Sequence, residues 1–142
     1  MSSLSSAITA AATALAVERT RIEVAVSNIA NAESTRGPDG QPYRRRDVVL
    51  ASEPVGGFDA ALGEARATGV KVAAIVEDQG AFRRRYEPSH PDADADGFVS
   101  LPNVDTPQEM VDMLGAARAY QANLAAIGLI RELVSKALEL GR

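Results

Sequence analysis

Two regular apolar patterns, one at each end of the chain, constrain the fold more than any other feature of the sequence. In residues 4–31 the pattern steps by four and three positions, with Glu18 as its one polar break. The steps fall at Leu4, Ile8, Ala11, Leu15, Glu18, Ile22, Ala25 and Ile29. This spacing places one stripe of side chains on one face of a long helix, as in coiled coils. Gly37-Pro38 ends the helix.

A second long helix is predicted to begin at Thr106, because Thr106, Pro107 and Glu109 fit a capping box with proline at the first helical position. Its stripe runs through Met110, Met113, Ala117, Tyr120, Leu124, Ile127, Arg131, Val134 and Leu138. Gly115 and Gly128 lie inside this helix, where each costs about 1 kcal/mol relative to alanine. We expect another backbone to approach closely at these glycines; the alternative is that the helix simply tolerates them.

The middle of the chain carries strand signals instead. We expect one strand over residues 43–51 after the Asp39-Gly40 turn, and a second over residues 69–77. The second strand should place Val70, Val72, Ala74 and Val76 on one face. Residues 81–86 are predicted to pair with it.

Two further segments complete the middle region. Residues 58–67 are expected to form a short helix or a loop, and Pro88, Pro91 and Pro102 favour an extended return. The predicted fold class is therefore α+β, with long terminal helices pairing as a coiled coil around a small antiparallel β insertion. The three parts are residues 1–34, 35–104 and 105–142, within one structural unit.

Composition excludes many functions. The net charge is −4, the chain contains no cysteine, and His90 is its one histidine. A nucleic-acid binder, a thiol nucleophile, a disulfide framework and a zinc site are therefore not expected. Alanine supplies 26 of the 142 residues and aromatics only 4%, which favours closely packed helices over a thick globular core. No stretch approaches the roughly 20 apolar residues of a membrane span.

Three motifs remain after these exclusions. Asp92, Asp94 and Asp96 before Gly97 match the first half of a calcium loop, but Asn103 stands where a bidentate glutamate is needed. We therefore expect an acidic turn, with Asp92, Asp94 and Asp96 as a weak metal candidate. His90, between two prolines, is a fixed loop residue rather than a catalytic base. The triplets at residues 44–46 and 83–85 are interpreted as solvated strand faces, with basic contact patches for acidic partners as the alternative.

Several blocks of the sequence resemble the flagellar rod and hook axial proteins. The N-terminal block is Ser27-Asn28-Ile29-Ala30-Asn31-Ala32, and the C-terminal block ends in Arg118-Ala119-Tyr120-Gln121-Ala122-Asn123. Between them lie Gly37-Pro38-Asp39-Gly40-Gln41-Pro42-Tyr43-Arg44, Tyr86-Glu87-Pro88 with its continuation to Val99, and Pro102-Asn103-Val104 followed by Glu109-Met110-Val111. Their order and the chain length resemble the proximal-rod members of that family. Residues 51–68 match no pattern of the family.

The resemblance implies a structural subunit of the flagellar basal-body rod, exported through the type III apparatus without signal cleavage and located in the periplasm. It implies no enzyme activity and no cofactor. The implied partners are other copies, other rod subunits, components at the basal-body base near the MS ring, and the export apparatus. The expected assembly interface is Leu4, Ile8, Leu15, Ile22, Asn28, Ile29, Asn31, Met110, Met113, Tyr120, Asn123, Leu124, Ile127, Val134 and Leu138.

The apolar patterns also support this mechanical function without the resemblance. Two helices from opposite chain ends can pair, and their alanine-rich outer faces leave apolar surface for neighbouring subunits. Head-to-tail contacts that do not close generate a helical filament. We expect the terminal helices to order on assembly, since isolated long helices are marginal. Two alternatives stay open: a soluble coiled-coil adaptor, and a calcium-dependent binding module built on Asp92, Asp94 and Asp96.

Overall fold

The structure, a computed structural model, describes residues 2–55 and 67–140. In chain order its elements are α1 (Ser2–Ala30), β1 (Arg46–Val55), β2 (Ala67–Glu77), β3 (Arg83–Tyr86), β4 (Phe98–Leu101) and α2 (Thr106–Leu140). The α+β class is confirmed. The predicted short helix or loop at residues 58–67 lies outside the described residues, apart from Ala67, which begins β2.

The two long helices lie side by side and antiparallel. Asn28 near the end of α1 contacts Glu109 in the first turns of α2. At the other end, Leu4 and Leu138 line one groove of about 430 Å³. The start of α1 and the end of α2 therefore lie next to each other, while coiled-coil packing of the two stripes stays a prediction. In the part of the chain that the structure describes, no helix is long and apolar enough to cross a membrane.

The face of α2 turned toward the rest of the chain differs from the predicted stripe. Buried and half-buried side chains recur at Glu109, Met113, Ala116, Tyr120, Asn123, Ile127, Ile130 and Val134. Of the predicted stripe, Met113, Ala117, Tyr120, Ile127 and Val134 are buried or half-buried. Met110, Leu124 and Arg131 are exposed, and in each case the preceding residue is the buried or half-buried one. Leu138 is also exposed, but it lines the groove with Leu4. Polar residues such as Glu109 and Asn123 occupy inner positions, and a hydrophobic pattern does not detect them.

Two separate two-stranded sheets form the middle of the chain. β1 pairs antiparallel with β2, from Arg46 opposite Glu77 to Val55 opposite Ala67. β3 pairs antiparallel with β4, from Arg83 opposite Leu101 to Tyr86 opposite Phe98. The predicted pairing of residues 81–86 with residues 69–77 is therefore wrong, since each hairpin closes with its own sequence neighbour. The strand predicted over residues 43–51 also begins later, at Arg46.

A β-bulge divides the first hairpin, which we call the β1–β2 ribbon. Val49 is opposite Ala74 and Leu50 is opposite Val72, so Ala73 is an extra residue in β2. Since Val49 and Leu50 point to opposite faces, Val72 and Ala74 do as well. The prediction that Val70, Val72, Ala74 and Val76 share one face is therefore wrong beyond the bulge.

The ribbon lies along α1 and is held there by a close approach. The Val70 N–H donates to Thr13 Oγ1 at 3.2 Å. At Gly69, a Cβ atom would lie 2.7 Å from that same oxygen and 2.6 Å from Val55 Cγ2. Only glycine leaves room for this contact, which explains why β2 passes so near to α1. One side of α1 thus contacts the ribbon and another contacts α2.

Candidate assembly surface

A buried amide at the end of α1 joins three parts of the chain. The Asn28 side chain is 1% exposed. Its Nδ2 donates to the Arg46 carbonyl and to Glu109 Oε2, both at 2.8 Å. Its Oδ1 accepts from the Tyr43 hydroxyl and from the Arg46 N–H, both at 2.9 Å. All four hydrogen-bonding positions of the amide are filled. Asn28 therefore holds the start of β1 and the start of α2 against the end of α1.

Glu109 completes this junction rather than a helix cap. Its N–H donates to the Asp105 carbonyl, so the helical hydrogen bonds begin at Asp105. The predicted capping box of Thr106 and Glu109 is wrong, because the Glu109 carboxylate is 2% exposed and turns inward to other partners. Its Oε1 accepts from Arg45 Nε at 2.6 Å, while Oε2 accepts from Asn28. A buried carboxylate needs hydrogen-bond donors. The Glu109 side chain therefore bonds to Arg45 and Asn28 instead of capping the start of α2.

Arg45 supplies the positive charge of the junction. Burial lowers the pKa of the Arg45 guanidinium, but the hydrogen bond to Glu109 and the nearby charges of Glu109, Asp47 and Asp112 outweigh it and raise the pKa above its ordinary value. Arg45 therefore stays charged. Its backbone N–H donates to Asn103 Oδ1 at 3.0 Å, tying the segment before α2 to the segment before β1.

The other arginines of the two triplets also bind within the chain. Arg44 stacks over Phe82, with 4.4 Å from Cζ to the ring centroid. Arg83 donates to the carbonyls of Pro102 and Ala32, and Arg85 pairs with Glu33 at 2.8 Å. Arg83 and Arg85 thus tie β3 to the segment that follows α1. The predicted solvated strand face is found at β3, where all three arginines are exposed. It is wrong for Arg44 and Arg45, which precede β1 and are half-buried.

The aspartates of the calcium-like motif point to different partners. Asp92 accepts from the Thr35 hydroxyl at 2.8 Å and pairs with Arg36. Asp94 Oδ1 accepts from the N–H groups of Asp96 and Phe98, which is the expected acidic turn. Over residues 2–55 and 67–140, no three histidine or acidic side chains form a cluster that could hold a metal ion.

His90 also takes part in the turn that contains these aspartates. Its Nδ1 accepts from the Asp92 N–H at 3.0 Å, and its own N–H donates to the Glu87 carbonyl at 3.0 Å. The imidazole therefore stabilises local backbone, as expected of a fixed loop residue.

The residues predicted to form the assembly interface fall into two groups. Leu4, Met110, Leu124 and Leu138 are exposed. The others are buried or half-buried within the chain: Ile8, Leu15, Ile22, Asn28, Ile29, Asn31, Met113, Tyr120, Asn123, Ile127 and Val134. Asn31 Nδ2 donates to the Ser27 carbonyl and Asn123 Nδ2 to the Ala119 carbonyl. The second group positions the helices, and the first group leaves apolar surface in contact with solvent.

The exposed apolar surface is larger than the sequence pattern indicated. It includes Val111, Leu114, Leu129, Leu133 and Leu140 on α2, and Val49, Leu50, Ile75 and Val76 on the ribbon. Exposed apolar surface of this extent marks an interaction site in a folded protein. The single-stripe interpretation of α2 overlooked these residues, of which Leu129, Leu133 and Leu140 are spaced by four and seven positions and so share one helix face.

Gly115 and Gly128 lie on this open side of α2. A Cβ atom built at either position would have no neighbour within 4 Å outside its own helix turn. The expected close approach of another backbone therefore does not occur within the part of the chain that the structure describes.

Comparison with known proteins identifies the class to which this arrangement belongs. Residues 95–140, which contain β4 and α2, match the family model described as flagellar basal body rod FlgEFG protein C-terminal. The flagellar basal-body rod protein FlgC of Salmonella typhimurium is 46% identical over 132 residues, covering 93% of each chain. FlgC of Borreliella burgdorferi is 40% identical, covering 96% of this chain and 97% of the relative. FlgC of Bacillus subtilis is 41% identical, covering 92% and 93% respectively.

The match over residues 95–140 and the named relatives together define the class of this chain, a flagellar basal-body rod protein. The relatives match nearly the whole chain, and all three are FlgC, which is one particular rod protein. This chain belongs to the FlgC family of flagellar basal-body rod proteins.

Proposed function

We propose that the chain, a structural subunit of the flagellar basal-body rod, assembles helically through α1 and α2 in the proximal rod. The observation that carries this proposal is the antiparallel helix pair with apolar side chains exposed along its outer side. Burial of that surface between subunits contributes roughly 25 cal/mol per Å² of apolar area. Identical contacts that do not close into a ring extend into a helical filament.

The proposed task is transmission of torque across the periplasm. A subunit that carries torque needs many packed contacts and a fixed relation between its helices. The Asn28–Glu109–Arg45 junction supplies the fixed relation, because each of its polar groups is hydrogen-bonded in a low-dielectric setting. The terminal helices, residues 1–34 and 105–142, then act as a coiled-coil axial unit, with residues 35–104 as an insertion held beside α1.

The assembly interface in this proposal keeps the predicted residues but divides their roles. Exposed side chains such as Leu4, Met110, Leu124 and Leu138 contact neighbours. The half-buried residues, among them Ile8, Leu15, Tyr120 and Val134, hold α1 against α2. The proposed neighbours are other copies, other rod subunits and base components near the MS ring.

Export precedes assembly in this proposal. The chain travels unfolded through the flagellar type III apparatus without cleavage of a signal, and the terminal helices become fully ordered only when neighbours cover them. The absence of charge in residues 2–17 supports ordering by burial, since no charged side chain in that segment must lose water. The named relatives give no support to a calcium module or a soluble adaptor.

Mass spectrometry of purified, detergent-extracted hook–basal bodies tests the assignment. We expect the chain at a fixed proportion to the other rod proteins, with its N-terminal peptide intact. If the other rod proteins are present and this chain is missing, the rod function is wrong for this protein. A calcium titration of the purified chain is the companion measurement, and we expect no saturable site in the micromolar range.

A further inference from the structure

The β1–β2 ribbon is anchored to α1 at two points. At one end, the N–H and the carbonyl of Arg46 both bond to the side-chain amide of Asn28. At the other end, the Val70 N–H donates to Thr13 Oγ1 at 3.2 Å, and Gly69 lets the two backbones come this close. The two anchors are about 22 Å apart along the helix axis. The ribbon therefore spans residues 13–28 of α1 and is held at both ends.

Burial divides α1 at the Thr13 anchor. We call residues 13–30 the inner segment of α1 and residues 2–12 its outer segment. In the inner segment, Val17, Ala25 and Asn28 are 3, 4 and 1% exposed. None of residues 4–12 is buried. The side chains that fix α1 within its own chain therefore all belong to the inner segment.

Burial in α2 stops at the same level of the helix pair. Ile127 is buried, and none of residues 128–140 is. The antiparallel pairing places Thr13 level with residues 124–129 of α2, as counted from the contacts at the two ends of the pair. Beyond that level the two helices leave the groove of about 430 Å³ between them. The inner parts of both helices are therefore closely packed, and the outer ends are not.

The outer segment has little to keep it helical in a free subunit. Isolated helices shorter than about 12–15 residues are marginal in water. The outer segment has no charged side chain, whereas Arg19 pairs with Glu23 and Arg21 with Glu18 in the inner segment. A lone two-stranded ribbon is marginal as well, so the ribbon and the inner segment stabilise each other.

We propose that the β1–β2 ribbon keeps the inner segment of α1 helical in the free subunit, before any neighbour covers the helix. Thr13 positions the ribbon and sets the boundary of this preformed part. Neighbours then have to order only the outer segment and residues 128–140 of α2. The inference rests on the proposed rod function and specifies how much of the helix pair exists before assembly. A subunit of this kind loses conformational entropy over few residues when it joins the rod.

Hydrogen exchange of the purified chain, kept monomeric by dilution, tests the boundary. A helix that begins at Thr13 leaves the N–H groups of its first turn without helical acceptors, so protection should begin at about Val17. We expect the amides of residues 17–30 to exchange at least about a hundredfold more slowly than those of an unstructured peptide, and the amides of residues 6–12 within about tenfold of it. Fast exchange throughout α1, or equal protection of both stretches, would overturn the proposal.

Replacement of Thr13 by valine tests the role of its hydroxyl. Thr13→Val keeps the shape of the side chain and removes the acceptor of the Val70 N–H. We expect exchange of residues 17–22 to become about threefold to tenfold faster, as the loss of one hydrogen bond predicts, with no change around Asn28. Thr13→Ser keeps the hydroxyl and should restore the natural rates.

Thr20→Val is the matched control. The Thr20 hydroxyl donates to the Ala16 carbonyl of its own helix, just as the Thr13 hydroxyl donates to the Ala10 carbonyl. Both variants lose such a local bond, but only Thr13→Val also loses a bond to the ribbon. If the two variants change the exchange of residues 17–22 equally, the ribbon does not hold the inner segment and the proposal is wrong.

Gly69→Ala approaches the same anchor from the ribbon. A Cβ atom there would lie 2.6 Å from Val55 Cγ2 and 2.7 Å from Thr13 Oγ1, so the ribbon has to move away from α1. We expect faster exchange in residues 17–22, as in Thr13→Val, and unchanged exchange in the first turns of α2. A rise of equal size in α1 and α2 would mean a global loss of stability and would overturn the ribbon as the cause.

The two proposals fail in different ways. The rod function is wrong if the natural chain is missing from hook–basal bodies that contain the other rod proteins. The exchange experiments use the free chain without any other rod component, so their failure overturns the preformed inner segment and leaves the rod function standing.

Discussion

Replacement of Glu109 by alanine removes the carboxylate that joins α1, α2 and the start of β1. In the natural chain this carboxylate is 2% exposed and accepts from Arg45 Nε at 2.6 Å and Asn28 Nδ2 at 2.8 Å. The variant leaves the half-buried Arg45 guanidinium without its shortest acceptor. Asp47 and Asp112, at 3.5 and 3.9 Å, compensate only in part, because both are more exposed.

The expected magnitude follows from these contacts. A hydrogen bond to a charged group contributes about 1.5–3 kcal/mol, and breaking a fully buried ion pair costs about 3–5 kcal/mol. Arg45 retains some water and two weaker partners, so we expect Glu109→Ala to lower the free energy of unfolding by about 3 kcal/mol, at the low end of the second range. Glu109→Gln keeps the shape and one acceptor and should cost less.

Urea unfolding of the purified chain, followed by circular dichroism, measures this change. The junction joins the end of α1 to the start of α2 and does not depend on the outer ends of these helices, which order on assembly in the proposed function. Glu132→Ala is the matched control: it removes a glutamate from the same helix whose partner, Lys136, lies on the exposed surface. Glu132→Ala should lower the free energy of unfolding by no more than about 0.5 kcal/mol. A double-mutant cycle with Arg45→Ala should give a coupling energy of about 2 kcal/mol.

Two results would refute the reasoning. The first is a cost for Glu109→Ala no larger than that of Glu132→Ala, which would mean that the junction does not stabilise the fold. The second is full additivity of the Glu109→Ala and Arg45→Ala effects, which would mean that the pair does not act as a unit.

Three further predictions concern single positions. Gly115→Ala should stabilise the isolated chain by about 1 kcal/mol, measured by urea unfolding, because a new Cβ meets nothing within 4 Å; destabilisation would show that the helix is packed there. Gly97→Ala should destabilise it by about 1–3 kcal/mol in the same assay, since Gly97 has φ of 81° and a Cβ would lie 2.9 Å from Tyr86 Cε2; an unchanged midpoint would contradict this. The N–H of Phe98, and next Arg84, hold the pKa of Asp94 below its ordinary 3.8, so the stabilisation is present above that pH and is lost as pH falls through the lowered value. Protection of the Phe98 amide from hydrogen exchange should therefore fall with pH below about 3.8 in the natural chain and not in Asp94→Asn.

The sequence was informative where local periodicity decides structure. The steps of three and four predicted both long helices to within a few residues of their observed ends, because a helix repeats its environment at that spacing. The strand around Val72 was found from alternating apolar residues, although the bulge at Ala73 interrupts that alternation. The pairing of the strands was not predicted correctly. Residues 83–86 pair with Phe98–Leu101, because the turns bring these two segments together, and neither strand's own sequence specifies its partner.

On the candidate assembly surface, too, the sequence predicted the helix but not which of its side chains are exposed. Leu124 belonged to the predicted stripe, but the structure leaves it exposed and places Ala116 and Asn123 on the inner side of α2. A hydrophobic pattern counts large apolar residues and therefore selects the wrong neighbour when the inner face is made of small and polar ones. The hydrogen bonds of Arg45 to Glu109 and of Arg85 to Glu33 were not predicted either, because these partners lie far apart in the sequence.

The sequence alone determined that this chain has two long terminal helices around a β insertion, and several of its sequence blocks resemble those of the flagellar rod proteins. Only the tertiary structure decided which face of each helix is buried. That choice depends on partners such as Asn28 and Glu109, which are 81 residues apart, and on the free energy of satisfying buried polar groups that no local pattern records. The same choice fixed which apolar side chains of α2 and the ribbon stay exposed to solvent.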